Sequence, residues 1–397
     1  MKIWRWGPTE FPYSERLQWL TRISTSATGI EDRTRVRVGP RRLVDYQITT
    51  LEQQDRRDIE RLFFAEGMGP YLVPFWWDVS KLFSFSGNVG GIGTVSFVLP
   101  TSEFSTREYT IGGLAVIIAE NASYPLTITG FSVSGQNTVI IGTADWTGLP
   151  QPTGQFRVYP AAMAKLSPST SISAITSHYQ NFSASFEYLL PSRLSGASLP
   201  ATYDGLDLLS FAPNRPVNFQ KNTTVFSSER LDYDVGTWST LDEAGAPFIT
   251  RVHEFLYLED RPTLFEHRKF FQKMGGREGE FWAPTWIQDL DVSAINEVGG
   301  TRYQLVFSHQ VDFLDGLSSR ENIYLRTRKG NFPGVIQEQS SSTALVIDFE
   351  TAPVGVTIDD VIQCHWLERV RLAFDEVAIS HRTLQQASIN VGLTTVK

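Results

Sequence analysis

The same succession of short patterns runs through this chain twice, and that internal duplication limits its possible folds more than any other feature. Ser14-Glu15-Arg16-Leu17 recurs as Ser228-Glu229-Arg230-Leu231. An extended stretch follows each, Arg33–Tyr46 in the first copy and Phe248–Leu258 in the second. Two helical patterns come next, residues 49–69 and 259–276, and each holds a Phe-Phe pair, Phe63-Phe64 and Phe270-Phe271. Each runs into an expected aromatic strand with Pro followed two residues later by Trp: Val73-Pro74-Phe75-Trp76-Trp77-Asp78, and Ala283-Pro284-Thr285-Trp286-Ile287-Gln288-Asp289. Thr138–Ile141 is then matched by Thr343–Ile347, and Phe182–Tyr188 by Ala387–Leu393. A chain patterned this way is expected to fold as two versions of one plan.

In the first helical pattern Ile59, Leu62 and Phe63 recur at i, i+3 and i+4, the spacing of one helix face. Thr49 and Glu52 have capping-box spacing, and Gly67 and Gly69 can end the helix. In the second, Asp260 is the expected N-cap and Pro262 lies in the first turn. Leu264, Phe271 and Met274 form its apolar stripe, and Gly275-Gly276 stop it. Helices are therefore predicted over 55–66 and 262–274, anchored by Phe63 and Phe271. Elsewhere β-branched and aromatic residues alternate with Gly, Pro, Asn and Ser. That predicts strands over Gly87–Phe97, Tyr109–Ile118, Ser123–Val133 and Thr138–Ile141. In the second copy it predicts Arg302–Phe307, Asn322–Arg328 and Thr343–Phe349. The expected fold class is mainly β: two tandem β-sandwich domains, each with one packed α-helix. The first spans 1–190, a linker spans 191–216, and the second spans 217–397. The linker's Leu206, Leu208, Leu209 and Phe211 suit a segment packed against a domain.

Composition narrows the function classes. The single Cys364 leaves no intrachain disulfide framework and no Cys-rich metal site. No apolar run approaches the ~18 residues of a membrane span, and the N-terminus lacks a signal-peptide pattern. The expectation is a protein made in a cytoplasm, without membrane insertion. Residues 1–190 hold 16 Lys+Arg and 16 Asp+Glu, whereas 191–397 hold 19 and 27, so the second copy carries the whole net charge of −8. Phosphate contacts supply most nucleic-acid affinity, so this balance argues against DNA or RNA binding. It is compatible with a surface along which DNA passes without sticking.

A strand, a helix with Phe270-Phe271, the turn Gly275-Gly276-Arg277-Glu278-Gly279, Phe281-Trp282 and a strand with Trp286 and Asp289 follow one another. Together they resemble the distal tail proteins of siphophages and gene transfer agents. The resemblance covers roughly residues 253–292, with a fainter echo at 46–79 that holds Phe63, Phe64 and Trp76. It implies a tail-tube-like β-sandwich plus helix, whose strands join those of neighbours into a ring around a DNA channel. Phe270, Phe271, Gly276, Phe281 and Trp286 would be framework residues, as would Phe63, Phe64 and Trp76 in the echo. Family members commonly contain one tube domain, whereas this chain carries two. Tail-tip hub proteins also carry two, which lets three chains imitate a six-fold ring. The resemblance thus implies a structural, non-enzymatic subunit of the virion tail tip or baseplate, made in the host cytoplasm. Its partners would be further copies of itself (a trimer, with a hexamer as the alternative), the tail tube protein, and hub or fibre proteins. DNA would be passing cargo only, and no cofactor is implied.

Other signals are weaker. Residues 87–94, GNVGGIGT, sit between strand-like segments and open no helix, so they read as a hairpin and not as a phosphate cradle. Cys364-His365 is an adjacent pair whose side chains point to opposite faces of a strand. The six histidines show neither HxH nor HExxH spacing. Trp76, Trp77, Trp282 and Trp286 admit an alternative function, a carbohydrate- or receptor-binding module of a tail fibre, by stacking on sugars. Arg33, Arg35 and Arg37 alternate with Thr34, Val36 and Val38, placing three guanidinium groups on one strand face, with Arg41 and Arg42 after the Gly39-Pro40 turn. Two readings stand: an assembly surface meeting the acidic second copy of a neighbouring chain, or a solvated face balanced by Glu31, Asp32 and Asp45.

Overall fold

The computed structural model describes the chain outside residues 1, 27–29, 51–52, 81–84, 88–91, 106, 121, 148, 150–156, 169–170, 175–179, 191–200, 215–219, 226–227, 232–238, 243–247, 259–260, 312–320, 384–385 and 397. The chain is mainly β, and its named strands pair antiparallel. It opens with β1 (Tyr13–Gln18), β2 (Thr21–Thr25), β3 (Glu31–Arg35), β4 (Arg41–Thr50) and helix α1 (Gln53–Glu66). β5 (Tyr71–Pro74), β6 (Phe85–Gly87), β7 (Ile92–Pro100) and a one-turn α2 (Thr101–Phe104) follow. β8 (Leu114–Ile118), β9 (Ser123–Ser134), β10 (Asn137–Asp145), β11 (Arg157–Leu166), β12 (Ser171–Ala174) and β13 (Gln180–Tyr188) complete the first half.

A small hairpin, β14 (Thr202–Tyr203) and β15 (Leu206–Asp207), leads into the second half. There β16 (Gln220–Val225), β17 (Ser228–Leu231), β18 (Ser239–Asp242) and β19 (Phe248–Leu258) precede helix α3 (Arg261–Met274). β20 (Glu280–Pro284), β21 (Val292–Gly299), β22 (Arg302–Phe307), β23 (Asn322–Thr327) and β24 (Gly330–Ser341) follow. The last four are β25 (Ala344–Phe349), β26 (Val361–Leu372), β27 (Glu376–His381) and β28 (Gln386–Thr395).

The pairings recur in one order. In the first half β1, β4, β13 and β12 are successive neighbours; in the second β16, β19, β28 and β27 are. β13 and β28 each pair at one end with a long strand, β11 and β26. β11 pairs with β5 and β8, as β26 pairs with β20 and β23. From there β8, β9, β10, β7 and β6 run side by side, as do β23, β24, β25, β22 and β21. Each half ends up with matching cores. α1 lays Ile59 and Leu62 among Val44, Tyr46, Phe182 and Phe186, while α3 lays Phe270, Phe271 and Met274 among Phe255, Ile389 and Val391. A second core lies between the outer strands, around Phe97, Tyr124 and Trp146 and around Leu305, Leu325 and Trp366. Each buried apolar side chain of this size contributes about 1.5–3 kcal/mol.

Three expectations are corrected. First, Ser14–Leu17 and Ser228–Leu231 are not counterparts. The former lies in β1, paired with β4; the latter lies in β17, paired with β18 as β2 is paired with β3. The pairings make β16 the counterpart of β1. Second, within the expected linker 191–216, the described residues 201–214 take part in the pairing of the second half. Leu208 forms a parallel bridge to Trp282 just as Ile3 does to Leu72, and Leu209 N–H donates to the Trp282 carbonyl at 2.8 Å as Trp4 N–H does to Leu72 at 2.9 Å. Tyr203, Leu208 and Leu209 are buried, so the segment does pack down, as its leucines suggested. Third, Thr49 caps no helix: it is a β4 strand residue paired with Asn181, and its hydroxyl donates to Glu10 at 2.7 Å. Glu52 and Asp260 lie outside the described residues, as do the side chains of Phe63 and Phe64.

The halves are joined by a strand pair. β1 pairs antiparallel with β27 from Tyr13 opposite His381 to Gln18 opposite Glu376. The result is one eight-stranded sheet in the order β12, β13, β4, β1, β27, β28, β19, β16.

Candidate functional site

Strand alternation gives the joined sheet two faces of different chemistry. Tyr13, Glu15 and Leu17 of β1 point inward and are buried, and so do Arg42, Val44, Tyr46 and Ile48 of β4. Two charged residues thus occupy the inward phase of apolar strands, and they meet at the β1–β27 junction. The Glu15 carboxylate takes Arg42 Nε at 3.2 Å, the Arg268 guanidinium of α3, and His381 Nε2 at 3.3 Å. Glu108 bridges the same two arginines, with Arg42 Nη2 and Arg268 Nη1 both at 2.7 Å, and accepts from Trp77 Nε1 at 3.3 Å. Asp78 completes the group, holding Arg107 at 3.1 Å, Arg261 at 2.6 Å and the backbone N–H of Glu108 at 2.8 Å. The His381 ring stacks between Tyr13 and Trp77, at 4.7 and 5.5 Å.

Glu15, Arg42, Asp78, Arg107 and Glu108 come from the first half, and Arg261, Arg268 and His381 from the second. The cluster therefore pins α3 of one half to the sheet of the other. Burial alone would raise the Glu15 pKa, but Arg268 and Arg42 outweigh it and hold the carboxyl at about 2. Burial keeps His381 below its ordinary value, against the pull of Glu15. Glu15 is thus a charged anchor gripped by guanidinium groups from both halves. Among the described residues no three His, Cys, Asp or Glu side chains converge as metal ligands. No described helix is long and apolar enough to cross a membrane.

The outward face of the central strands is mainly polar, with Leu43 on β4 and Val252 and Leu256 on β19 as apolar members of the same phase. It presents Ser14, Arg16 and Gln18 of β1, Arg41, Asp45 and Gln47 of β4, Asn181, Ser183 and Glu187 of β13, and Glu376, Ala378 and Ser380 of β27. Arg16 pairs with Asp45 at 2.7 Å and Arg41 with Glu187 at 3.2 Å, while Gln18 donates to Glu376 at 2.6 Å. Each arginine named here is matched by an acid.

The five arginines singled out in the sequence separate in the structure. Arg33 and Arg35 do share a face of β3, but Arg37 lies beyond the strand. Arg33 pairs with Glu280 and Arg35 with Glu278, both from the second half of the same chain. The acids that meet Arg33 and Arg35 here are thus intramolecular, and Arg33 also lies 3.6 Å from Glu31, one of the local acids of the second reading. Arg41 is exposed, and Arg42 is interior at 2% exposure, so Arg42 cannot belong to an assembly surface. The framework residues Trp76, Phe270, Phe271, Phe281 and Trp286 are all buried. Gly276 has φ +77°, and a Cβ there would lie 2.5 Å from Asp375 Oδ1 and 2.7 Å from Trp19 Cβ. Cys364 and His365 are both buried on opposite faces of β26, and burial pushes the thiol pKa up and the imidazole pKa down. Residues 88–91 lie outside the described residues, and the strands flanking them, β6 and β7, pair as a hairpin.

The charge cluster escaped the sequence reading, because its members span Glu15 to His381 with no local spacing. The available signal was phase: Glu15 sits between Tyr13 and Leu17, and Arg42 two residues before Val44, in the buried register of alternating strands. Neither a family model nor any curated protein matches this chain.

Proposed function

We propose that the chain is a non-catalytic structural subunit of a bacteriophage tail tip or baseplate, assembling into a ring around the DNA channel. It would join the tail tube protein to hub or fibre proteins. The observation that carries this reading is the joined sheet: one strand of each half completes an eight-stranded wall whose outward face is mainly polar on its central strands, with Arg16 and Arg41 paired to acids there. Arginines already neutralised by neighbouring acids offer passing phosphates little free cationic charge, so DNA could slide over such a face without being retained. The interior supports the same reading, because its charge cluster holds the two halves together. With two repeats of one pairing order per chain, three copies give six equivalent units, so a trimeric ring is favoured over a hexameric one. The carbohydrate-binding alternative needs exposed indole faces, and Trp76, Trp77, Trp282 and Trp286 are all buried. Native mass spectrometry of the purified assembly is the test, and a mass of three times 44.7 kDa is expected. A monomer that persists at high concentration would sink the proposal.

A further inference from the structure

We infer that β16 of one copy pairs antiparallel with β12 of the next, in the register that β1 and β27 use within the chain. This rests on the ring reading and specifies its contact. Two strand edges of the eight-stranded sheet are open: among the described residues β12 pairs only with β13, and β16 only with β19. They are the counterparts of the two strands that meet inside the chain, since β16 holds the place of β1 and β12 that of β27. The chain therefore ends, on each side, in half of a junction it already forms once.

The equivalent residues follow from the registers. Pro74 and Pro284 close β5 and β20, opposite Ala161 and Leu367. Counting on through β11 and β26 makes Tyr188 equivalent to Thr395, and so Phe182 to Ile389. Phe182 lies between Ile48 and Ile172, as Ile389 lies between Phe255 and Ile379. Asp45 and Val252, each three residues earlier, face Ser14 and Lys221. The inner pair Glu15–Ile379 then becomes Asn222 opposite Ile172 of the next copy, and Ser14–Ser380 becomes Lys221 opposite Ser173.

Two observations favour pairing of these edges. Ile172 is 49% exposed on its open edge, whereas its counterpart Ile379, covered by β1, is 0% exposed. The charged members of the inner junction are also absent at the outer one, where Asn222 replaces Glu15 and Ala174 replaces His381. An acid at position 222 would have to be stripped of water at every assembly event, and an amide costs far less to cover. The inner junction forms once, during folding; the outer one is built from neutral residues at these positions.

The test is disulfide trapping in the full chain. Two double variants, Asn222→Cys with Ile172→Cys and Lys221→Cys with Ser173→Cys, place cysteines directly opposite across the inferred pair. Lys221→Cys with Ile172→Cys is the control, one residue out of register and on opposite faces. The two edges of one chain are seven strand spacings apart, on the order of 30 Å, far beyond the ~7 Å Cα separation a disulfide tolerates, so a bond must link two chains. Native Cys364 is 1% exposed and does not compete. The expected result is that mild oxidation converts most of at least one in-register variant to linked multimers ending at the ring size, while the control stays largely monomeric on a non-reducing gel. Rings seen by native mass spectrometry with neither in-register variant linked, or with the control linked equally, would overturn the register and leave the ring reading standing. Absence of any assembly would overturn both.

Discussion

Glu15→Gln is the most informative single change, because it keeps the shape of a fully buried side chain and removes its charge. Three acids, Glu15, Asp78 and Glu108, face four arginines, Arg42, Arg107, Arg261 and Arg268, in the cluster. The variant leaves two acids against four cations, with Arg42 and Arg268 each losing one of two carboxylates. Removing one partner of a buried ion pair costs about 3–5 kcal/mol. Because Glu108 still bridges both arginines, the low end, about 3 kcal/mol, is expected. Arg16→Gln is the matched comparison: the next residue, on the opposite face of β1, in a pair with Asp45 that is about one-third exposed. That change should cost no more than about 1 kcal/mol. Urea unfolding followed by tryptophan fluorescence reads both, with Trp77 lying inside the cluster as a local reporter. A loss under about 1 kcal/mol for Glu15→Gln, or one equal to that of Arg16→Gln, would refute the idea that the cluster locks the two halves together.

Three further outcomes are expected. Phe271→Ala, at 0% exposure beneath α3, should cost about 3–5 kcal/mol in the same melts, and a loss below about 1 would show that it is not core. Gly276→Ala should cost clearly more than Gly112→Ala. Both have positive φ, +77° and +80°, but only Gly276 would drive its Cβ into Asp375 and Trp19, so equal losses would show that the close approach is not limiting. His253 is buried, neither ring nitrogen has a hydrogen-bond partner among the described residues, and burial with Arg251 nearby lowers its pKa to about 4. The unfolded chain then binds this proton first. Stability should hold above about pH 6.5 and fall by up to about 3 kcal/mol toward pH 4. The decline should be shallower in His253→Gln, and identical pH profiles for the two proteins would exclude His253 as its source.

Much of the architecture was legible where a pattern is local. The apolar face of Ile59 and Leu62 and the stripe Leu264, Phe271, Met274 placed both helices to within a residue or two, and β-branched runs marked most central strands. The Ser-Glu-Arg-Leu repeat misled because four matching letters carry no information about pairing partners. The Pro–Trp segments were right in part: each begins in a strand held against the long strand of its own half, but both strands stop at the proline, and Trp76–Asp78 form a 3-10 turn while Trp286 lies past β20. Local acids such as Glu31 beside Arg33 could be named from the sequence, but the distant charge partners could not. Arg33 and Arg35 alternate as expected, yet the acids that receive them, Glu280 and Glu278, are more than two hundred residues away. A strand reveals which side chains share a face, but not what the rest of the chain lays against it.

The pairing of β1 with β27 also sets an order of events during synthesis. Residues 13–18 leave the ribosome more than 350 residues before their partner 376–381. At roughly 5–20 residues per second, the interval is on the order of 20–70 s. Throughout it the first half can close its own core while one edge of β1 stays open, with Glu15 and Arg42 lacking Arg268 and His381. An unpaired strand edge is an aggregation hazard. β27 and β28 therefore act as a seal, and a ribosome that stalls before them releases a chain with one edge of β1 uncovered.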